Sequence, residues 1–253
     1  MNKNTKYLIL SLLLLTCGFI SAVGQNDYDF GIYTKAGIKA NISKKISNTT
    51  ELEIRTKDNT TKLSNFRINT SFGYKFNKYL STSIGYAYIG KPQQEISLGN
   101  QVLVEKSILS SHRYWVDITG SLPVSKFSFS LRERFQHTIT QGASALVIRS
   151  ELKVQYKIDN SIFKPFISVE PHLFLNDISI QTGSAVIENV KATPLREIRY
   201  NIGTVISINE KNDLQVYGRF THNPDFKIKL MNQELPIKNM DQFILGINYH
   251  FKF

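Results

Sequence analysis

The side chains that could take part in chemistry are mostly charged, and they recur at every second position of short segments. Residues 51–57, ELEIRTK, and 149–155, RSELKVQ, are the clearest cases. A two-residue period is that of a β-strand whose two faces meet different environments. We therefore expect these charged side chains to share the polar face of a sheet. The candidates are the basic residues Arg55, Arg67, Lys75, Arg132, Arg134, Arg149, Lys153, Arg199 and Arg219, and the acidic residues Glu51, Glu53, Asp117, Glu151 and Glu170.

Histidines and serines give no second pattern of this kind. The chain has five histidines, and no two have the i, i+2 strand spacing or the i, i+4 helix spacing of metal ligands. We predict no metal site and no cofactor. Serines are plentiful, and His112 or His137 could act as a base beside one of them. Nothing in the spacing marks a catalytic set, so we predict no catalytic residues and no enzyme.

The charge balance is basic, with 31 Lys and Arg against 20 Asp and Glu. Nucleic-acid-binding proteins usually cluster such charges in a patch or along a recognition helix. Here the basic residues alternate with apolar ones, so we predict no nucleic-acid partner. Positive charge spread over one face of a sheet instead suits a polar interior or channel lining.

The elements that must position these charges are strands of a barrel. The last stretch, DQFILGINYHFKF at 241–253, alternates large apolar residues with small or polar ones and ends on Phe253. Strands of outer-membrane β-barrels face lipid with one side and the lumen with the other, and they carry aromatic residues at the membrane boundary. We therefore predict an all-β fold, a transmembrane antiparallel up-and-down β-barrel.

Strand number and orientation follow from counting segments and connections. Eleven alternating segments lie between residues 30 and 253. Because bacterial single-chain barrels usually have an even number of strands, we expect about 12, with 10 as the alternative. Connections near residues 44, 78, 123, 159 and 211 are short, whereas 91–111, 175–194 and 221–240 are long. Short periplasmic turns and long external loops are typical of such barrels.

The N-terminus predicts export. Lys3 and Lys6 precede an apolar run, YLILSLLLL at 7–15, and small residues follow at 22–24. These are the features of a secretory signal peptide, so residues 1–24 are predicted to be removed and 25–253 to form one barrel domain in the cell outer membrane. A membrane anchor is one alternative, and Cys17 raises a lipoprotein as another. Cys17 is the only cysteine, so no disulfide is expected.

Several phrases also carry a family resemblance. Tyr74 to Lys78 reads YKFNK, Tyr156 to Asn160 reads YKIDN, and the chain closes on LGINYHFKF. With DFGIYTKAGIKANISKKIS near the N-terminus, these phrases resemble an uncharacterised family of Bacteroidota-type outer-membrane barrels, the domain of unknown function twenty-four-ninety. The resemblance implies a barrel and a location, but it brings no activity and no functional residues.

We therefore expect a non-enzymatic envelope protein, either a narrow channel or a structural barrel with a basic lumen. Its partners would be outer-membrane lipid and lipopolysaccharide, and the barrel-assembly machinery would read its C-terminal strand ending in Phe253. The oligomeric state stays open, with a monomer favoured. The competing hypotheses are a barrel-embedded lipid hydrolase or acyltransferase, and a surface-binding protein that acts through its external loops.

Overall fold

The alternating segments of the sequence form β-strands in the structure, a computed structural model. It describes residues 28–253 apart from 94–95, 99–100, 105–106, 141–142, 177, 183–184, 191–193, 225, 231–232 and 238–239. The predicted signal peptide lies outside the described residues. In chain order the strands are β1 (Tyr28–Asn41), β2 (Ile46–Lys57), β3 (Lys62–Lys75), β4 (Leu80–Gln93), β5 (Ile96–Leu98), β6 (Gln101–Val104), β7 (Ser107–Val124), β8 (Phe127–Thr140), β9 (Ala143–Tyr156), β10 (Phe163–Phe174), β11 (Ile178–Thr182), β12 (Ala185–Val190), β13 (Leu195–Ser207), β14 (Asn212–His222), β15 (Phe226–Leu230), β16 (Gln233–Ile237) and β17 (Asp241–Lys252).

Eleven of the described strands close into one barrel, in the order β1-β17-β14-β13-β10-β9-β8-β7-β4-β3-β2. Sequential barrel strands are antiparallel neighbours, as an up-and-down barrel requires, but β1 and β17 pair in parallel along 28–39 and 241–252. The expectation of 12 strands is wrong, and so is the alternative of 10. In a chain that reverses at every connection, an odd number of strands leaves the first and last running the same way, so they can close only in parallel.

The two ends of the barrel differ. At one end, which we call the turn end, the connections are 42–45, 76–79, 125–126, 157–162 and 208–211. The other end, the hairpin end, carries 58–61 and 141–142 together with three long connections. Each long connection contains a separate two-stranded sheet: β5 with β6, β11 with β12, and β15 with β16. The predicted loop 91–111 was expected to include strands that continue beyond the membrane, and here β4 continues to Gln93 and β7 begins at Ser107.

Alternation assigns the two faces of the wall. The outward face carries large apolar side chains that are about half exposed, such as Leu52, Ile84, Leu131 and Leu152. Their sequence neighbours point inward and are mainly polar. Glu133 is an outward exception near the middle of β8, and its carboxylate accepts a hydrogen bond from Ser150 Oγ at 2.6 Å. No helix among the described residues is long and apolar enough to cross a membrane.

Candidate functional site

The inward faces of the strands enclose a polar cavity of about 380 Å³, which we call the central cavity. Thirteen of the fourteen charged residues predicted to share the polar face line it: Glu51, Glu53, Arg55, Arg67, Asp117, Arg132, Arg134, Arg149, Glu151, Lys153, Glu170, Arg199 and Arg219. The fourteenth, Lys75, lines a second cavity nearer the turns. Strand alternation places these residues on the inner face, and closure of the barrel then brings them into one cavity from eight different strands.

Basic residues outnumber acidic ones in the wall of the central cavity. Ten of the described lining residues are basic and five are acidic, since Lys35 and Arg113 join the predicted set. Arg113 was not among the residues predicted from the sequence to line the lumen, although it lies on the same face of β7 as Trp115, two positions later, and Asp117, four positions later. The alternation of β7 was therefore the signal that could have identified Arg113.

Glu170 is the centre of the ion-pair network. Its side chain is 3% exposed, and its Oε1 accepts hydrogen bonds from Arg149 Nη2 at 2.7 Å and Arg132 Nη2 at 2.9 Å. Its Oε2 lies 3.6 Å from Arg199 Nη1 and 3.3 Å from His172 Nε2. A buried carboxylate is stable only when such partners replace the water it has lost. Glu170 therefore ties β8, β9 and β13 together across the lumen.

Three further ion pairs follow the wall. Arg134 donates two hydrogen bonds to Asp117, Nε to Oδ1 at 2.6 Å and Nη2 to Oδ2 at 2.7 Å, in the fork geometry that makes Arg–carboxylate pairs strong. Arg55 donates from Nε to Glu53 on its own strand. Lys35 Nζ lies 3.2 Å from Glu51 Oε1 across the β1–β2 pair. Most of the lumen charge is thus paired.

Four basic residues of the central cavity have no carboxylate oxygen within 4.0 Å among the described residues: Arg67, Arg113, Lys153 and Arg219. Neutral groups hold three of them. Arg67 Nε donates to Asn65 Oδ1 at 2.7 Å, Arg113 Nε to Thr138 Oγ1 at 3.1 Å, and Arg219 Nε to Asn201 Oδ1 at 2.7 Å. These residues leave the cavity wall with uncompensated positive charge.

A tyrosine in the same wall packs closely against glycines of both neighbouring strands. A β-carbon on Gly246 would be 2.0 Å from the ring of Tyr217. A β-carbon on Gly203 would be 2.5 Å from the Cβ atom of Tyr217. Arg219 Cζ lies 5.2 Å from the centroid of that ring, within the range of a cation–π contact. Sequence reasoning missed these contacts, because they depend on which residues stand opposite each other across strands.

The lumen is packed toward the hairpin end. Among the described residues, the inward-facing side chains of this level are nearly all buried: Asn65 at 5% exposure, Ile89 and Ser111 at 1%, Gln136 at 7%, Val147, His172 and Ile244 at 4%, and Thr221 at 3%. They come from eight different barrel strands. The described side chains on this side of the central cavity therefore pack closely against one another.

The turn end is open by comparison. The second cavity, which we call the turn-end cavity, has a volume of about 550 Å³. It shares Thr49 and Ser71 with the central cavity, so the two meet at these residues. Among the described residues, the lumen is therefore wider at the turn end and more tightly packed toward the hairpin end.

The described histidines are dispersed rather than grouped. His172 lies between Glu170 and Glu197 in the lumen, whereas His112 Nδ1 pairs with Tyr86 Oη at 2.8 Å on the outward face. His222 Nδ1 lies 3.0 Å from Asp241 Oδ1. No group of three or more His, Cys, Asp or Glu in the described part of the chain could hold a metal ion.

Comparison with curated proteins gave no match, and neither did comparison with solved structures. A comparison with protein families did give one. The model of the family described as "Protein of unknown function (DUF2490)" matches residues 30–232, from the first barrel strand into the last long connection. The match covers most of the chain, and the protein therefore belongs to this family.

Proposed function

We propose that the protein is a non-enzymatic outer-membrane β-barrel whose lumen is filled by a paired charge network. The observation that carries the proposal is the outward face. Apolar side chains such as Leu52, Ile84 and Leu131 stand about half exposed around the closed wall. Water-soluble monomers rarely expose apolar patches beyond a few hundred Å². A closed barrel also satisfies its own backbone hydrogen bonds, as lipid demands.

Two belts of outward aromatic rings support the same proposal. Near the turn end, ring centroids are 5.0 Å apart for Tyr74 with Phe76 and 4.7 Å apart for Phe251 with Phe253. Toward the hairpin end, Phe220 and Phe243 lie 5.0 Å apart. Aromatic girdles at both interfaces are typical of outer-membrane barrels. With the usual orientation, the turns face the periplasm and the hairpins face outside.

The partners follow from this orientation. Membrane lipid would contact the outward face, and lipopolysaccharide would surround the hairpin end. The C-terminal strand β17 ends one residue before Phe253 and would carry the signal for the assembly machinery. In this reading the barrel itself acts as a structural element of the envelope, and the lumen network stabilises it.

Membrane integration is the first test. The full-length protein, expressed in a Gram-negative host, is expected in the outer-membrane fraction after carbonate washing. It should also migrate differently in gel electrophoresis before and after boiling, as a folded barrel does. Recovery as a freely soluble periplasmic protein without detergent would refute the proposal.

A narrow anion passage is the second candidate, and the ten basic against five acidic lining residues favour it. A positive pore lining favours anions. Planar-bilayer recording separates the two candidates. The filled barrel predicts no discrete current steps in chloride solution, whereas a passage predicts small steps with a reversal potential on the anion side.

A further inference from the structure

The wall of the turn-end cavity has an unusual composition. Five lysines line it, Lys39, Lys44, Lys45, Lys75 and Lys78, together with the hydroxyl-bearing residues Ser43, Ser47, Thr49, Ser71, Ser81, Ser83, Thr119 and Ser121. The described lining includes no aspartate and no glutamate. Lys39 and Lys75 stand on the inward faces of β1 and β3, and the other three lie on the connections 42–45 and 76–79.

These five lysines also lack ion-pair partners. None has a carboxylate oxygen within 4.0 Å among the described residues, and Lys78 Nζ instead lies 4.8 Å from the ring centroid of Tyr79. Two other lysines of the same end are paired, Lys126 with Asp159 and Lys252 with Asp213. Lys157, Lys164 and Lys211 of this end lie outside the cavity and have no carboxylate oxygen within 4.0 Å among the described residues. The cavity is therefore distinguished by the convergence of five lysines without carboxylate partners on one wall.

Concave walls concentrate the potential of such charges. Five ammonium groups supply many hydrogen-bond donors, and the serine and threonine hydroxyls add more beside them. A phosphate group suits this set, because it carries about 1.5 to 2 negative charges near neutral pH and three acceptor oxygens. One phosphate group compensates about two of the five lysines and one carboxylate compensates a single lysine, so a molecule with more than one phosphate group matches the charge of this wall better.

We propose that the turn-end cavity is a binding site for a soluble molecule that bears phosphate groups. Since the described lumen is more tightly packed toward the hairpin end, the ligand would enter and leave through the turns. The inference rests on the proposed function for one point only: the orientation in the outer membrane makes the periplasm the compartment that supplies the ligand. The binding chemistry itself depends only on the cavity.

The test uses the full-length barrel purified into nanodiscs of zwitterionic phosphatidylcholine, with inorganic pyrophosphate as the probe. Calorimetric titration is expected to show saturable binding that weakens as salt is raised, since salt screens such exposed charges. The double variant Lys39→Gln/Lys75→Gln should bind pyrophosphate about tenfold more weakly or worse, because two charge-assisted contacts are lost. Lys126→Gln, which removes one charge at the same end outside the cavity, should bind like the parent.

Absence of saturable binding would overturn the inference, and so would an equal loss in Lys126→Gln. Should the double variant not fold, Lys44→Gln/Lys45→Gln removes two lysines of the cavity and changes only the connection 42–45. Its pyrophosphate binding is then compared with that of the parent and of Lys126→Gln. Repeating the pyrophosphate titration in nanodiscs that contain anionic phosphatidylglycerol shows whether the bound phosphate belongs to a soluble ligand or to a lipid headgroup. Retained pyrophosphate binding there supports a soluble ligand, and its loss would mean that a lipid headgroup occupies the site. Membrane fractionation is a separate measurement, so failure of the proposed function and failure of the site are distinguishable.

Discussion

The indole ring of Trp115 lies where a side chain on Gly85 would have to be. A β-carbon on Gly85 would be 2.2 Å from two carbons of the ring, and the two residues stand directly opposite each other on β7 and β4. Arg134 Cζ lies 4.8 Å from the ring centroid, and the same guanidinium binds Asp117. The glycine thus allows the indole to lie flat against the wall, and the indole in turn supports an ion pair of the lumen.

Gly85→Ala is expected to lower the free energy of unfolding by about 1–3 kcal/mol, because the added methyl forces Trp115 out of its position. Urea unfolding measures the loss, and the intrinsic fluorescence of Trp115 reports it directly, since this is the only tryptophan of the chain. Gly218→Ala is the matched control, because nothing lies within 4 Å of its β-carbon. Equal stability of the two variants would contradict the close packing of Trp115.

Glu170→Gln tests the centre of the charge network. Loss of one buried partner is expected to cost about 3–5 kcal/mol, since the remaining charges stay in the lumen without compensation. Arg149 is affected most, because Glu170 is its one carboxylate partner within 4.0 Å among the described residues. Denaturant unfolding in detergent micelles gives the magnitude.

The control for Glu170→Gln is Asp58→Asn, which breaks an exposed pair with Lys62 at 2.9 Å. Its carboxylate pKa is lowered by the hydrogen bond from Lys62, yet fully exposed pairs are screened by solvent and contribute little to stability. Asparagine also tolerates the positive φ of 52° at this position. A Glu170→Gln loss no larger than that of Asp58→Asn would mean that the network does not stabilise the barrel.

Ile84→Arg and Ser83→Arg test which face meets lipid. Ile84 points outward and is 62% exposed, so an arginine there should cost about 2–4 kcal/mol if it lies near the bilayer midplane. Ser83 is its sequence neighbour, lines the turn-end cavity, and hydrogen-bonds Asp117 Oδ2 at 3.2 Å. An arginine at Ser83 would face water and a carboxylate, so this variant should assemble far better.

The yield of heat-modifiable protein in the outer-membrane fraction compares Ile84→Arg with Ser83→Arg. Similar yields would show that the outward face does not contact hydrocarbon. The comparison is strict because the two substitutions introduce the same side chain one residue apart on β4.

Local alternation predicts much of this fold. All eleven barrel strands correspond to segments that alternate in the sequence, and the same alternation placed Glu170 and Arg149, which lie on different strands, in one cavity. The number of strands was predicted wrongly because the general preference of bacterial barrels for even numbers was given more weight than the eleven segments counted in the sequence. Whether the number of strands is odd or even is a property of the whole closed barrel, and no local sequence pattern indicates it.

The contacts between side chains of different strands depend on the register of the strands and on how the barrel closes. Tyr217 reaches Gly203 on one side and Gly246 on the other only because β14 lies between β13 and β17 with particular residues opposed. The lysines of the turn-end cavity lie on β1, β3 and two connections, and their sequence neighbours do not indicate that they converge. The hairpins within the long connections were likewise hidden, since their strands are only three to six residues long.

The parallel seam between β1 and β17 predicts a specific cross-link. Thr34 on β1 stands opposite Ile247 on β17, with both on the outward face. Neighbouring strands lie about 4.7–4.9 Å apart, within the Cα separation of about 4.4–6.8 Å that a disulfide spans. Thr34→Cys/Ile247→Cys is therefore expected to form a disulfide on mild oxidation, seen as a shift in non-reducing gels. Cys17 is the only native cysteine and lies in the predicted signal peptide, so no native thiol should compete in the processed protein.

The control for this cross-link is Thr34→Cys/Tyr249→Cys, in which the second cysteine is two residues further along β17. The rise along a strand then separates the two Cα atoms by roughly 8 Å, beyond the reach of a disulfide. A twelfth strand between β1 and β17 would hold Thr34 and Ile247 about 9–10 Å apart and prevent either bridge. Because only direct parallel pairing favours the first pair over the second, failure of the first pair to cross-link would refute the eleven-stranded closure.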